Sequence, residues 1–147
     1  MDNEIKLLEC LLREINHIMN LVTRTFLCEK GLTMSRFWVL NKLSIDKPIT
    51  MKELQSQLLL APATLTGLVD NLVSDNLVER WRDNSDRRLV YLVLTDAGQK
   101  NLNDILEYRS FVLKKIIEDN NCHIDLKELN KNLKSLLENS EKVTIQI

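Results

Sequence analysis

Apolar residues recur at Ile5, Leu8, Leu12, Ile15, Met19 and Val22, the three-and-four spacing of a helix. A second set at Leu7, Leu11, Ile18 and Leu21 widens the stripe and predicts another helix packed against it. Gly31 is the expected left-handed stop. Thr33 can cap a short helix carrying Phe37, Trp38, Leu40 and Leu43, and Pro48 breaks the chain after it. Thr50-Met51-Lys52-Glu53 has the form of a capping box, with a helix that ends near Gln57. Pro62 suits the first position of the next helix, because its missing N–H would be unpaired there anyway. That helix shows Leu65, Leu68 and Leu72 and ends near Ser74, with Asn76 expected in a left-handed terminal position. Only Leu58 to Ala61 join the two helices, which is helix-turn-helix spacing.

The period then changes. Val78 to Arg82 and Leu89 to Leu94 flank the polar cluster Asp83 to Arg87, a pattern that predicts a β-hairpin with a basic tip. Thr95-Asp96 opens a long helix with Leu102, Leu106, Leu113 and Ile117. Asn120-Asn121 reads as a turn, and Asp125 with Glu128 starts a final helix carrying Leu126, Leu129, Leu133 and Leu136. The expected fold is mainly α with a small β-hairpin wing, a winged helix-turn-helix between terminal helices. The chain of 147 residues reads as one domain, with the reading module at 33–94 and terminal helical regions at 1–32 and 95–147.

Composition narrows the classes. Apolar residues make up 44% and charged residues 28%, which fits a packed globular chain. No stretch nears the roughly 18 uninterrupted apolar residues of a membrane span, and the acidic start Met1-Asp2-Asn3-Glu4 lacks a signal peptide's basic region. A cytoplasmic protein without membrane contact is expected. Cys10, Cys28 and Cys122 are an odd number without close spacing, which argues against disulfides and zinc and leaves reduced thiols or a redox sensor.

Catalysis finds no support. His17 and His123 lie in different predicted helices, and there is no Gly-rich phosphate loop, nucleophile elbow or zinc-protease motif. No enzyme, cofactor or metal is expected. The strongest chemical signal is basic: Arg80, Arg82, Arg87 and Arg88 cluster on the hairpin, although the net charge is −1. Local pairing with Glu79, Asp83 and Asp86 would make this a solvated turn. Directly after a helix-turn-helix, the same arginines, Arg82 and Arg87 among them, suit duplex DNA, whose narrow minor grooves concentrate negative potential.

The run TMKELQSQLLLAPATLTGLVDNLVSDNLVER, Thr50 to Arg80, resembles the reading helices of the MarR family of bacterial regulators. The following DNSDRRLVYLVLTDAG resembles that family's wing and the start of its long fifth helix. The resemblance implies a homodimer of winged modules below a helical dimerisation platform, bound to duplex DNA and acting as a repressor released by a small ligand or signal. Asp86 and Arg88 match the family's D-x-R wing positions, where the Arg enters the minor groove and the Asp orients it. Pro62, Ala63, Thr64 and Thr66 match the start of the recognition helix. Thr50 matches the start of the preceding helix, which approaches phosphate. Ligands of similar proteins bind between platform and reading helices, where His17, Arg36, Trp38 and Tyr108 are the candidates; ordinary core packing is the competing role for Trp38 and Tyr108.

Three departures from the family pattern matter. Leu59 replaces the usual turn Gly, Ala61 replaces a capping Ser, and Gly67 replaces a frequent basic residue. With Leu65, Leu68 and Leu72 inward, the outward face carries Ala63, Gly67, Asp70 and Ser74, flanked by Thr64, Thr66 and Asn71, and has no Lys or Arg. Thr methyls can meet thymine methyls and Asn71 can read adenine, so contacts to A·T pairs are expected. Asp70 is a liability beside phosphate unless it is paired or reads a cytosine amino group. The cation-free face also suits a different class, a helical dimer that binds proteins or small molecules instead of DNA.

Overall fold

The computed structural model describes residues 1–119 and 123–144. The expected Asn120-Asn121 turn and the role of Cys122 lie outside the described residues. The order is α1 (Asp2–Glu29), α2 (Met34–Lys42), β1 (Ile49–Thr50), α3 (Met51–Leu58), α4 (Pro62–Ser74), β2 (Val78–Arg82), β3 (Val90–Leu94), α5 (Asp96–Ile117) and α6 (Leu126–Thr144). Two compact units divide the chain, Met1–Ser110 and Phe111–Ile147.

Helix ends follow the polar residues of the sequence. Thr33 accepts the Arg36 N–H at 3.2 Å and starts α2. The capping box forms in full: the Glu53 N–H donates to Thr50 Oγ1 at 3.1 Å, and the Thr50 N–H donates to Glu53 Oε2 at 2.7 Å. The Asp125 carboxylate takes the N–H groups of Lys127 and Glu128 at the start of α6. Gly31 (φ 67°) and Asn76 (φ 58°) both occupy the left-handed region after their helices. Each is followed by a six-to-one bond, from the Leu32 N–H to Leu27 O and from the Leu77 N–H to Leu72 O, so orphan carbonyls are satisfied.

The hairpin register pairs Val78 with Leu94 and Arg82 with Val90. The sheet has a third strand that the apolar pattern did not reveal. β1 pairs antiparallel with β3, Ile49 opposite Leu92 and Thr50 opposite Tyr91, giving the order β1-β3-β2. Thr50 therefore ends a strand and caps a helix at once, which fixes the start of α3 against the root of the hairpin.

The core of the first unit joins α2, α3, α4 and the sheet through Phe37, Leu40, Leu54, Leu65, Val69, Leu72, Leu92 and Leu94, all at most 2% exposed. Leu68, expected inside, is half-buried, and Val69 takes the deeper place. The start of α5 is fastened behind the reading helix. The Thr95 N–H donates to Leu77 O at 3.1 Å, its hydroxyl donates to Asn76 O at 2.7 Å, and its Oγ1 accepts the Gly98 N–H at 3.0 Å. Gly98 packs so closely that a Cβ there would lie 2.0 Å from Leu77 O. Further along, Arg109 donates to Thr23 Oγ1 and Met19 O and lies over the Phe37 ring, tying α5 to α1 and α2; burial lowers its pKa.

α1 buries only Met19, Thr23 and Leu27, while Ile5, Leu7, Leu8, Leu11, Leu12, Ile15, Ile18 and Leu21 are exposed. In the second unit α6 buries none of its residues, although Leu126, Leu129, Leu133, Leu136 and Leu137 lie along it. No helix among the described residues is long and apolar enough to cross a membrane.

Candidate nucleic-acid interface

α4 presents its inner side, Leu65, Val69 and Leu72, to the core. Its outer side, Pro62, Ala63, Thr64, Thr66, Gly67, Asp70 and Asn71, is exposed. The Thr66 hydroxyl donates back to Pro62 O at 2.9 Å, which engages the donor and leaves the methyl group as the side chain's apolar surface. A Cβ added at Gly67 would meet nothing within 4 Å, so no packing demand explains that glycine. A helix-interior glycine costs roughly 0.5–1 kcal/mol relative to alanine.

The turn before α4 carries two local costs, at the positions where Leu59 and Ala61 depart from the family pattern. Leu59 caps α3 with φ 52° and ψ 36°, left-handed and 90% exposed, at roughly 1–2 kcal/mol for a residue with a Cβ. Ala61 offers no side-chain cap to α4, forgoing about 1 kcal/mol.

On the hairpin, Arg88 Nε and Nη2 donate to the two Asp86 carboxylate oxygens at 3.0 and 3.1 Å, and the Arg88 N–H adds a third bond at 3.1 Å. These bonds hold the Asp86 carboxyl below its usual range and raise the Arg88 pKa, so both groups are charged at neutral pH. The Arg88 side chain nevertheless remains 91% exposed. The fork is oriented on one edge and available on the other. Behind it, the Asp83 carboxylate accepts the N–H groups of Ser85 and Asp86 at 2.7 and 2.8 Å and closes the tip. Arg82 Nη1 donates to Arg87 O at 2.8 Å across the hairpin, and Arg87 itself is exposed.

Two clefts bring these elements together. One of about 340 Å³ is lined by Thr50, Lys52, Asp86, Arg88 and Leu89, joining the start of α3 to the wing. The other, about 590 Å³, is lined by Met51, Thr66, Arg80, Trp81, Arg82 and Val90, joining α4 to the hairpin root. Trp81, stacked on Tyr91 at 5.8 Å, and Lys52 were not anticipated as wall residues. Arg80 also differs from its expected place among the wing cations: its Nη1 pairs with Asp70 Oδ1 on α4 at 2.5 Å. Asp70 is thus paired from outside its own helix.

The four residues considered for an effector have separate surroundings. His17 is exposed on α1. Tyr108 stacks on Phe26 with ring centroids 4.3 Å apart, and Trp38 tilts against Phe37 at 5.0 Å. Arg36 pairs with Asp75, the residue that caps the end of α4, while its Nε is buried without a hydrogen-bond partner among the described residues. On α1, Cys10 is half-buried and Cys28 exposed.

A helix-turn-helix whose second helix is exposed, followed by a hairpin with an oriented arginine, defines a winged helix-turn-helix protein of the DNA-binding class. Residues 32–90 match the MarR family. An HTH-type transcriptional regulator of Bacillus subtilis, YsmB, is 31% identical over 107 residues, 73% of each chain. The crystal structure of transcriptional regulator Tm0710 from Thermotoga maritima superposes with a TM-score of 0.75 at 32% identity, covering 93% of this chain and 98% of that one. A mutant MarR from E. coli complexed with operator DNA gives a TM-score of 0.66 at 28% identity over 92% of this chain and 96% of its own. The chain belongs to the MarR family of transcriptional regulators, which are not enzymes.

Proposed function

We propose that the protein is a repressor that binds an inverted-repeat operator as a homodimer. The observation that carries this is the Asp86-held, 91% exposed Arg88 beside a reading helix whose outer side is free. α4 enters the major groove, with Pro62, Ala63, Thr64, Thr66 and Asn71 at the base edges, and the thymine methyl and the adenine edge are the features these residues fit. Arg82, Arg87 and Arg88 meet backbone and minor groove. Thr50, at the N-terminus of α3, meets phosphate, where helix N–H groups favour an anion.

The exposed apolar residues of α1 and of α6 supply the dimer surface, since patches beyond a few hundred Å² are uncommon on monomers. In the dimer, 33–94 form the reading module, and 1–32 and 95–147 are the regions assigned to dimerisation. Symmetry places the two reading helices about 34 Å apart, one turn of DNA. A small anionic effector is the proposed release signal, with Arg36 as its principal contact among the candidates His17, Arg36, Trp38 and Tyr108. Arg36 matters most, because an anion that draws it from Asp75 acts on the end of α4. Such a ligand must favour the DNA-incompetent state, and a 100-fold preference is about 2.7 kcal/mol.

Selection from a random duplex pool tests the proposal, with sedimentation of the same sample. An A·T-rich inverted repeat with half-sites one turn apart, bound by a dimer, is the expected outcome. A folded monomer at micromolar concentration would overturn the dimer, and a dimer with no enrichment from the pool would overturn operator binding and favour a protein- or ligand-binding dimer.

A further inference from the structure

α4 contains no Lys or Arg, and its one acid, Asp70, would face phosphate if unpaired. The structure supplies a counterion from the next element, Arg80 on β2, ten residues along the chain. The pair is not buried packing: the Arg80 side chain is 35% and the Asp70 side chain 53% exposed. A surface ion pair of this kind contributes little to stability. Its position does matter for phosphate. Arg80 lines the cleft between reading helix and wing together with Thr66 and Arg82, and in the binding mode proposed above a duplex backbone passes this cleft. A free guanidinium there would add a sequence-independent contact.

We infer that Asp70 is a specificity-determining positioning residue, which holds Arg80 as an internal counterion and keeps it out of phosphate binding. The inference rests on the DNA-binding function proposed above. The reading helix then enters the groove without net charge at this point, and the ionic part of binding falls to the wing. Base contacts decide between sequences only if the contacts shared by all sequences are limited, because phosphate contacts carry no sequence information. Pairing Arg80 inside the protein limits them.

Salt dependence separates this role from a structural one. Each phosphate contact contributes about 0.9 to the slope of log K against log salt concentration. The full chain, Asp70→Asn and the double variant Asp70→Asn/Arg80→Gln are titrated with one random-sequence duplex and one duplex enriched from a pool, over a series of salt concentrations. Asp70→Asn is expected to bind the random duplex more tightly, with a slope steeper by about 0.9 per protomer. The double variant is expected to return to the wild-type slope, since neither variant group contacts phosphate in the wild type. Thermal unfolding midpoints near the wild-type value show that the fold is kept. If Asp70→Asn leaves the slope unchanged, or if the double variant falls below the wild-type slope by about 0.9 per protomer, Arg80 is not sequestered and the inference is overturned. Absence of binding by the wild-type chain to either duplex overturns the DNA-binding function itself, and the inference with it.

Discussion

Two helical glycines mark regions built under opposite demands. Gly98 sits where α5 crosses the turn behind α4, and a Cβ there would lie 2.0 Å from a backbone oxygen. Gly67 sits on the outer side of α4, and a Cβ there would meet nothing within 4 Å. The first region is closed by the chain's own packing and hydrogen bonds. In the second, three features cost stability with no return from within the chain: Gly67 in a helix interior, left-handed Leu59 at 90% exposure and uncapped Ala61. All three lie in the turn before α4 or on its exposed side. Residues that the chain does not need for itself are the ones that the proposed function assigns to a partner.

The contrast can be broken at its closed side first. Gly98→Ala should cost about 3 kcal/mol or more, because the obstacle is backbone and no rotamer relieves it. Chemical denaturation measures this, and a loss under 1 kcal/mol would show that the α5 junction is not tight. Gly67→Ala is the matched control and should stabilise by about 0.5–1 kcal/mol.

On the open side, the effects should appear in binding and not in folding. Arg88→Ala should weaken operator binding roughly tenfold to a hundredfold and lower the salt slope by about one unit per protomer, with an unchanged unfolding midpoint. Asp86→Ala should also weaken binding, by a few fold, although it removes a negative charge. The sign is diagnostic, since tighter binding would mean that Asp86 only repels phosphate and does not orient Arg88. In the turn, Leu59→Gly and Ala61→Ser should each stabilise by about 1 kcal/mol, read from thermal unfolding.

The parts of this molecule that were legible in the sequence are those set by near neighbours. The caps at Thr33, Thr50, Thr95 and Asp125 act within three residues, and the left-handed stops at Gly31 and Asn76 follow from local backbone chemistry. The hairpin showed because its apolar strands flank a polar turn. β1 did not, because two residues, Ile49 and Thr50, carry no period and exist as a strand only through their distant partners Leu92 and Tyr91. The Asp70–Arg80 and Arg36–Asp75 pairs depend on how helix and strand are set against each other, which spacing does not encode. For the same reason the stacking of Tyr108 on Phe26 could not be read from the helical wheel. The excess apolar width of α1 was legible and has its counterpart in the row of exposed residues from Ile5 to Leu21.

The most direct test is a titration of the full chain with a pool-enriched duplex and a random duplex across a range of salt concentrations. Linear loss of log K with log salt is expected, together with at least a thousandfold preference for the enriched duplex at moderate salt. Equal affinity for both duplexes, or binding indifferent to salt, would contradict a reading helix and a cationic wing acting together on DNA.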